Sequence, residues 1–335
     1  GIRDKLVTGV QTCALPIYPD DTSADLKTTG LRIIANKIHL GTDIKAGHVI
    51  LDTFQNIDVL NRIDAGNDGY IDLRVYRDEG YINLKADLLV SAGDDWEGTG
   101  AGYIRLLAPD GSINIDSSVL IKGSNSHLIA KASKAISPLR TEVGSLTVAT
   151  SAQGGSSIAV TETDDLVLTS VDNHNAQANR GFILPNFPDM PDWMNTITWD
   201  DIATSSWLDQ VRDGKDVHAV TSGTGQIAIT LLGPDALLTL ASGRLEAQAS
   251  GKDITLMADD FDFLSGERKI AATGTLVIRA THDAIDYRLG SAGESAAGTD
   301  LSPIERNATA NLGVRDMAAI AGDLDRKSTR LNSSH

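Results

Sequence analysis

One phrase recurs across residues 69–122 and limits what this chain can become: Gly-Tyr-Ile-Asp-Leu-Arg-Val at 69–75, Gly-Tyr-Ile-Asn-Leu-Lys-Ala at 80–86, Gly-Tyr-Ile-Arg-Leu-Leu-Ala at 102–108 and Gly-Ser-Ile-Asn-Ile at 111–115. Each copy alternates in the way a strand does, with successive side chains on opposite faces. Ile71, Leu73 and Val75 share one face, and Tyr70, Asp72 and Arg74 take the other. Ile82, Leu84 and Ala86 divide likewise from Tyr81, Asn83 and Lys85, as do Ile104, Leu106 and Ala108 from Tyr103, Arg105 and Leu107. One face is expected to be dry and one wet. A lone copy cannot bury its apolar face, so the copies must lie on one another and the core must grow as a stack. The glycine before each copy supplies unhindered backbone where the chain turns back into a strand.

Short strand signals continue on both sides, from Lys37-Ile-His-Leu through His48-Val-Ile-Leu to Asp165-Leu-Val-Leu, and again from Gly225-Gln-Ile-Ala-Ile to Gly274-Thr-Leu-Val-Ile. The expected fold class is all-β, a parallel β-helix (β-solenoid) with one small helical insertion. Antiparallel β-sandwich repeats are the alternative, because Asp68-Gly69 and Asp110-Gly111 suit hairpin turns. Against the sandwich, Ile71, Ile82 and Ile104 are spaced by 11 and 22 residues, multiples of one unit. Like is therefore expected to stack on like, with Tyr70, Tyr81 and Tyr103 in one ladder and Ile71, Ile82 and Ile104 inward.

Both ends read differently. Residues 1–17, with Lys5-Leu6 as an index, are spelled by a sequencing adapter, and residues 325–335 are spelled by the reverse complement of the second half of that adapter. They are read as adapter-derived and not native, and are set aside from fold reasoning. The remainder divides into a solenoid at 18–184, an insertion at 185–220, a continued solenoid at 221–300, and a short helix with the start of another repeat at 301–324. Both native termini are expected to be missing. In the insertion, Pro185, Pro188 and Pro191 lead into Trp193, Trp199 and Trp207. Thr198-Trp-Asp-Asp has the form of a capping box, and Trp199, Ile202, Ala203, Trp207, Leu208 and Val211 follow at helical spacing. A helix start is also expected at Ser302-Pro-Ile-Glu. The three tryptophans are the candidate partner-binding residues, since clustered aromatics mark partner surfaces.

Charge and chemistry narrow the function. The chain carries 29 basic and 45 acidic residues, of which the two end segments hold five and two, so residues 18–324 are more acidic still. That balance argues against nucleic acid and against anionic membrane surfaces, which reward clustered Lys and Arg. No apolar run approaches the roughly 20 residues of a membrane helix. The single cysteine, Cys13, lies in the adapter segment, so disulfides and thiolate metal sites are not expected. His39, His48, His127, His174, His218 and His282 show no metal-ligand spacing and read as solvated residues. The acid pairs Asp94-Asp95, Asp164-Asp165, Asp200-Asp201 and Asp259-Asp260 read as turns and solvated surface. No catalytic residue, cofactor or metal is assigned.

The run Lys252-Asp-Ile-Thr-Leu-Met-Ala-Asp-Asp, then Ile270-Ala-Ala-Thr-Gly-Thr-Leu-Val-Ile, Ile285-Asp-Tyr-Arg-Leu-Gly and Leu301-Ser-Pro-Ile-Glu resembles a repeat of filamentous-haemagglutinin-like large bacterial exoproteins. Gly144-Ser-Leu-Thr-Val-Ala-Thr with Ser157-Ile-Ala-Val-Thr-Glu-Thr-Asp-Asp-Leu-Val-Leu resembles another copy. The resemblance implies a right-handed parallel β-helix, exported by a two-partner or autotransporter route to the outer surface or beyond. It implies a non-catalytic scaffold in adhesion, with host-cell or matrix glycans or proteins and flanking repeats of the same chain as partners. A carbohydrate-active β-helix enzyme, a polysaccharide lyase or hydrolase, is the competing reading; it needs acids converging in one groove.

Overall fold

A computed structural model describes residues 30–75, 79–92, 97–108, 110–150, 156–170, 219–263 and 270–282, together with the backbones of three short strands at 286–289, 309–312 and 320–321. The described residues are all-β, and no helix occurs among them. Every pairing between described strands is parallel. Antiparallel sandwich repeats would need antiparallel pairs, and the described strands form none.

The architecture is solenoid-like. Segments 48–53, 70–75, 102–107, 127–132 and 145–150 stack in one ladder. Segments 56–59, Tyr81–Leu84, Ser112–Ile115 and Ala135–Ile136 stack in a second. Segments 44–46, 63–65, Leu88–Val90, 121–123 and 141–143 form a third. Beyond residue 156 each turn is built from shorter strands, as when Ile158–Glu162 is followed on its ladder by Ile227–Leu231, Ile254–Met257 and Leu276–Arg279. Ile158 pairs with Ile227 directly, so that ladder runs unbroken across residues 171–218. The expected helices after Thr198 and Ser302 lie outside the described residues.

The inward side is a single dry column. Ile71, Ile82 and Ile104 are each 0 % exposed, as expected. Among the described residues Ile, Leu, Val and Ala fill nearly all of the column, and its aromatic pair is Phe261 with Phe263, ring centroids 5.8 Å apart. A narrow core of this kind is stabilised by apolar area removed from water turn after turn, at about 25 cal/mol per Å2.

The repeat stacks differently from the expectation. Gly69–Arg74 lies on Gly102–Leu107, a step of 33 residues, and Tyr81–Leu84 lies on Ser112–Ile115, a step of 31. The four phrases thus form two stacks on different faces. The 11-residue step carries the chain round a corner within one turn, not up to the next. Tyr70 and Tyr103 do stack, with centroids 4.9 Å apart and planes within 1°, but Tyr81 stands on another face. His48 completes the Tyr70 stack at 4.3 Å. Turn length varies because loops of different size leave at the corners: only 18 residues separate His127 from its partner Ser145. The glycines that open the phrases mark close approach between turns. A Cβ on Gly111 would collide with the Gly80 carbonyl, and Gly102, at φ 153°, would collide with that of Gly69.

The stacking sets the cost of two substitutions. Ile82→Asp places a charge in the dry column and should destabilise the protein by roughly 3 kcal/mol or more, whereas outward-facing Tyr81→Ser should cost about 1 kcal/mol. Urea unfolding of the two variants checks the facing; equal losses would contradict it.

Candidate functional site

The outer side of the first ladder is not wet. Asp72, Arg74 and Arg105 are 1, 2 and 4 % exposed, and Asp52, Lys131, His127 and Thr147 are buried with them. The expectation of a solvated face fails here because parallel pairing brings opposite charges together. Asp52 pairs in register with Arg74, and Asp72 with Arg105. Arg74 Nε lies 3.3 Å from Asp52 Oδ1 and its Nη2 lies 2.7 Å from Asp72 Oδ2. Arg105 Nε donates to Asp72 Oδ1 at 2.9 Å, and its Nη2 donates to Asp72 Oδ2. Burial alone would raise the Asp72 carboxyl, but Arg105 and then Arg74 outweigh it and hold it below the usual carboxylate range. His127, expected to be solvated, is buried between Ser145 Oγ at 2.6 Å and Thr147 Oγ1 at 3.1 Å. Burial lowers the His48 imidazole, which keeps that ring neutral against Tyr70.

The same logic recurs on the other ladders. Lys45 Nζ lies 3.3 Å from its register partner Asp64, whose carboxyl is raised by burial against the pull of Ser91 and Lys45. Lys122 Nζ lies 2.6 Å from Glu142, again its register partner. On the second ladder Asp58 accepts from Asn83 Nδ2 at 2.7 Å, and Asn83 Oδ1 accepts from Asn114 Nδ2 at 2.8 Å. Burial pushes Asp58 up, but Asn83 and Lys37 prevail and hold it low.

Three further groups have the residue types of chemistry. Glu162 is wholly buried on the core side, where its carboxylate accepts from the Val143 N–H at 3.2 Å and the Thr163 N–H at 2.9 Å. Burial outweighs these donors and raises its carboxyl to about 7. Such a value suits a general acid, but this side chain faces the apolar column and meets no solvent. Asp259 and Asp260, expected on solvated turns, are each 1 % exposed. Asp259 accepts from His282 Nδ1 at 2.6 Å and from the backbone N–H groups of Asp235, Thr281 and His282, so it ties a corner of one turn to the next. It holds the half-exposed His282 ring as a catalytic carboxylate would, but among the described residues the hydrogen bonds of His282 run to Asp259 itself and not to a nucleophile. A cleft of about 390 Å3 is lined by Arg62, Asp87, Glu97, Thr99, Leu120 and Lys122, in which Lys122 is engaged by Glu142 and Arg62 by Asp43.

Of the sequence-based candidates, Asp164 and Asp165 are exposed as expected, while Asp94, Asp95, Asp200, Asp201, His174 and His218 lie outside the described residues. Trp193, Trp199 and Trp207 lie outside them too. Among the described residues no group of three or more His, Cys, Asp or Glu is placed to hold a metal ion. The buried Asp-Arg network and the Asp-Asn ladder escaped the sequence reading, although the signal was present: both require knowing which turn lies on which. Comparison with protein-family models, with characterised proteins and with solved structures finds no match.

Two predictions test this electrostatic assignment. The unfolded chain ionises Glu162 near pH 4.5, while the folded chain holds the proton to about pH 7. The folded state therefore binds more protons in that window, and stability must fall as pH rises through it, by up to about 3 kcal/mol. Glu162→Gln should flatten that slope between pH 5 and 8 in urea unfolding. Asp72→Asn should cost about 3–5 kcal/mol at pH 7, because it leaves two buried guanidinium groups without their charge partner, and a loss below 1 kcal/mol would contradict the assignment.

Proposed function

We propose that this chain is a scaffold segment of a large secreted or surface-exposed bacterial adhesin of the filamentous-haemagglutinin-like kind, folded as a right-handed parallel β-helix and acting in attachment, not catalysis. The observation that carries the reading is the use made of polar side chains. The charged residues on the outer faces are matched from one turn to the next at Lys45–Asp64, Asp52–Arg74, Asp72–Arg105 and Lys122–Glu142. This spends on holding the stack the acids and bases that a lyase or hydrolase would aim at a substrate. Right-handedness is supported by the near-universal hand of crossovers between parallel strands in one sheet. The repeat-like runs at 252–305 and 144–168 support the family, and the acidic balance supports a secreted or surface setting.

Beads coated with the 335-residue chain should retain cultured epithelial cells or matrix-coated particles above bare beads, and the soluble chain should release neither reducing ends nor unsaturated products from pectin, alginate and other acidic glycans. Absence of retention would contradict the adhesive role. Turnover that vanishes in Asp259→Asn would establish the enzyme alternative in its place.

A further inference from the structure

The second ladder presents a polar, partly exposed face to solvent. Ile82 and Leu84 point inward, so Tyr81 and Asn83 point out, over Asn56 and Asp58 of the preceding turn and under Ser112 and Asn114 of the next. Tyr81 and Asn83 are partly exposed and Asn114 is exposed. Successive turns in a parallel stack lie about 4.8 Å apart, which places this row of amides on a regular spacing along the solenoid.

The hydrogen bonds in the row all run one way. Asn114 donates to Asn83 at 2.8 Å, and Asn83 donates to Asp58 at 2.7 Å. Each amide has two N–H donors and a carbonyl with two lone pairs. The ladder uses one donor of each asparagine and one lone pair of the Asn83 carbonyl, which leaves one N–H on each amide, a lone pair on Asn83 and the Asn114 carbonyl for a further partner. Beside them Tyr81, held by the bond from its own N–H to Asn56 Oδ1 at 3.1 Å, supplies an apolar ring with a polar tip. Charge on the face is balanced. The one carboxylate, Asp58, lies 3.3 Å from Lys37 Nζ and 3.7 Å from His39 Nδ1.

We propose that the face carrying Asn56, Asp58, Tyr81, Asn83, Ser112 and Asn114 binds a strand of neutral polysaccharide. An amide row with alternating spare donors and acceptors matches a chain of sugar hydroxyls, each of which both donates and accepts. The Tyr81 ring matches the C–H face of a sugar. Neutrality follows from the charge: the local carboxylate is already compensated, and a chain of net charge −16 repels polyanions. The regular turn spacing favours a polymer that presents the same groups repeatedly over a monosaccharide. This inference names a ligand class for the adhesive reading and rests on it for its biological sense, but its chemistry stands on these side chains alone.

The test is binding of the full-length chain to hexasaccharides of cellulose, xylan and chitin and to a heparin hexasaccharide, followed by saturation-transfer NMR and calorimetry. At least one neutral hexamer should bind and heparin should not. Tyr81→Ala and Asn114→Ala should each weaken binding about tenfold or more, with unfolding midpoints recorded for both. Asn114 is exposed, so its variant keeps the test decisive if Tyr81→Ala perturbs folding. Thr255→Ala, on a later turn of the stack, should bind as the parent does. Binding of heparin alone, no binding of any neutral hexamer, or undiminished binding by well-folded Asn114→Ala would each overturn the proposal. Cell retention that survives Asn114→Ala while neutral glycan binding is lost would leave the adhesive reading standing on another surface. Glycan binding without cell retention would sink the adhesive reading and leave this one intact.

Discussion

Parallel, in-register pairing between turns is the constraint on which everything else depends. In such a stack each side chain has a fixed neighbour above and below at about 4.8 Å, so the loop length between two strands decides which residues meet. Inward, that rule is satisfied by any aliphatic residue on any other, which is why Val49, Ile71, Ile104 and Leu128 can follow one another on one ladder with no aromatic filler. Outward, it is stringent. Two like charges in register would repel at close range, and two unlike charges can afford to be buried.

The chain meets that condition with loops of different lengths. The 33-residue step between Asp72 and Arg105 and the 25-residue step between Asp58 and Asn83 carry different loops, yet both deliver a complementary partner to a carboxylate. Loop-closure entropy rises only slowly with length, so varying the corners costs little compared with misplacing a buried guanidinium. Asp259 shows the same solution at a corner, where one buried carboxylate gathers donors from two neighbouring turns.

What the sequence reveals and what it conceals divide along this line. The alternation at Ile71, Leu73 and Val75 sufficed to tell inside from outside, because facing is a local property with period two. The partner of each residue is not local. Spacings of 11 and 22 between Ile71, Ile82 and Ile104 suggested one stack, and the turn proved longer, with the first spacing spanning a corner. That one misplaced step made Asp72 and Arg105 read as solvated, since neither can be buried until the other is set beside it. His127 and Glu162 were opaque for the same reason: their burial is set by segments 18 to 20 residues distant, Ser145 and Val143, whose contacts no short motif announces.

The register itself is open to a direct measurement. With Cys13 replaced by Ser, cysteines introduced in pairs report which positions face one another, because a disulfide needs Cα atoms about 4.4–6.8 Å apart. Neighbouring turns of a parallel stack satisfy that limit. Oxidation of the Asn83→Cys/Asn114→Cys pair is predicted to give a near-quantitative intramolecular bond, and the Tyr70→Cys/Tyr81→Cys pair, separated by a corner, is predicted to give none. A bond in the second pair, or none in the first, would contradict the stacking on which the buried ion pairs and the amide row both rest.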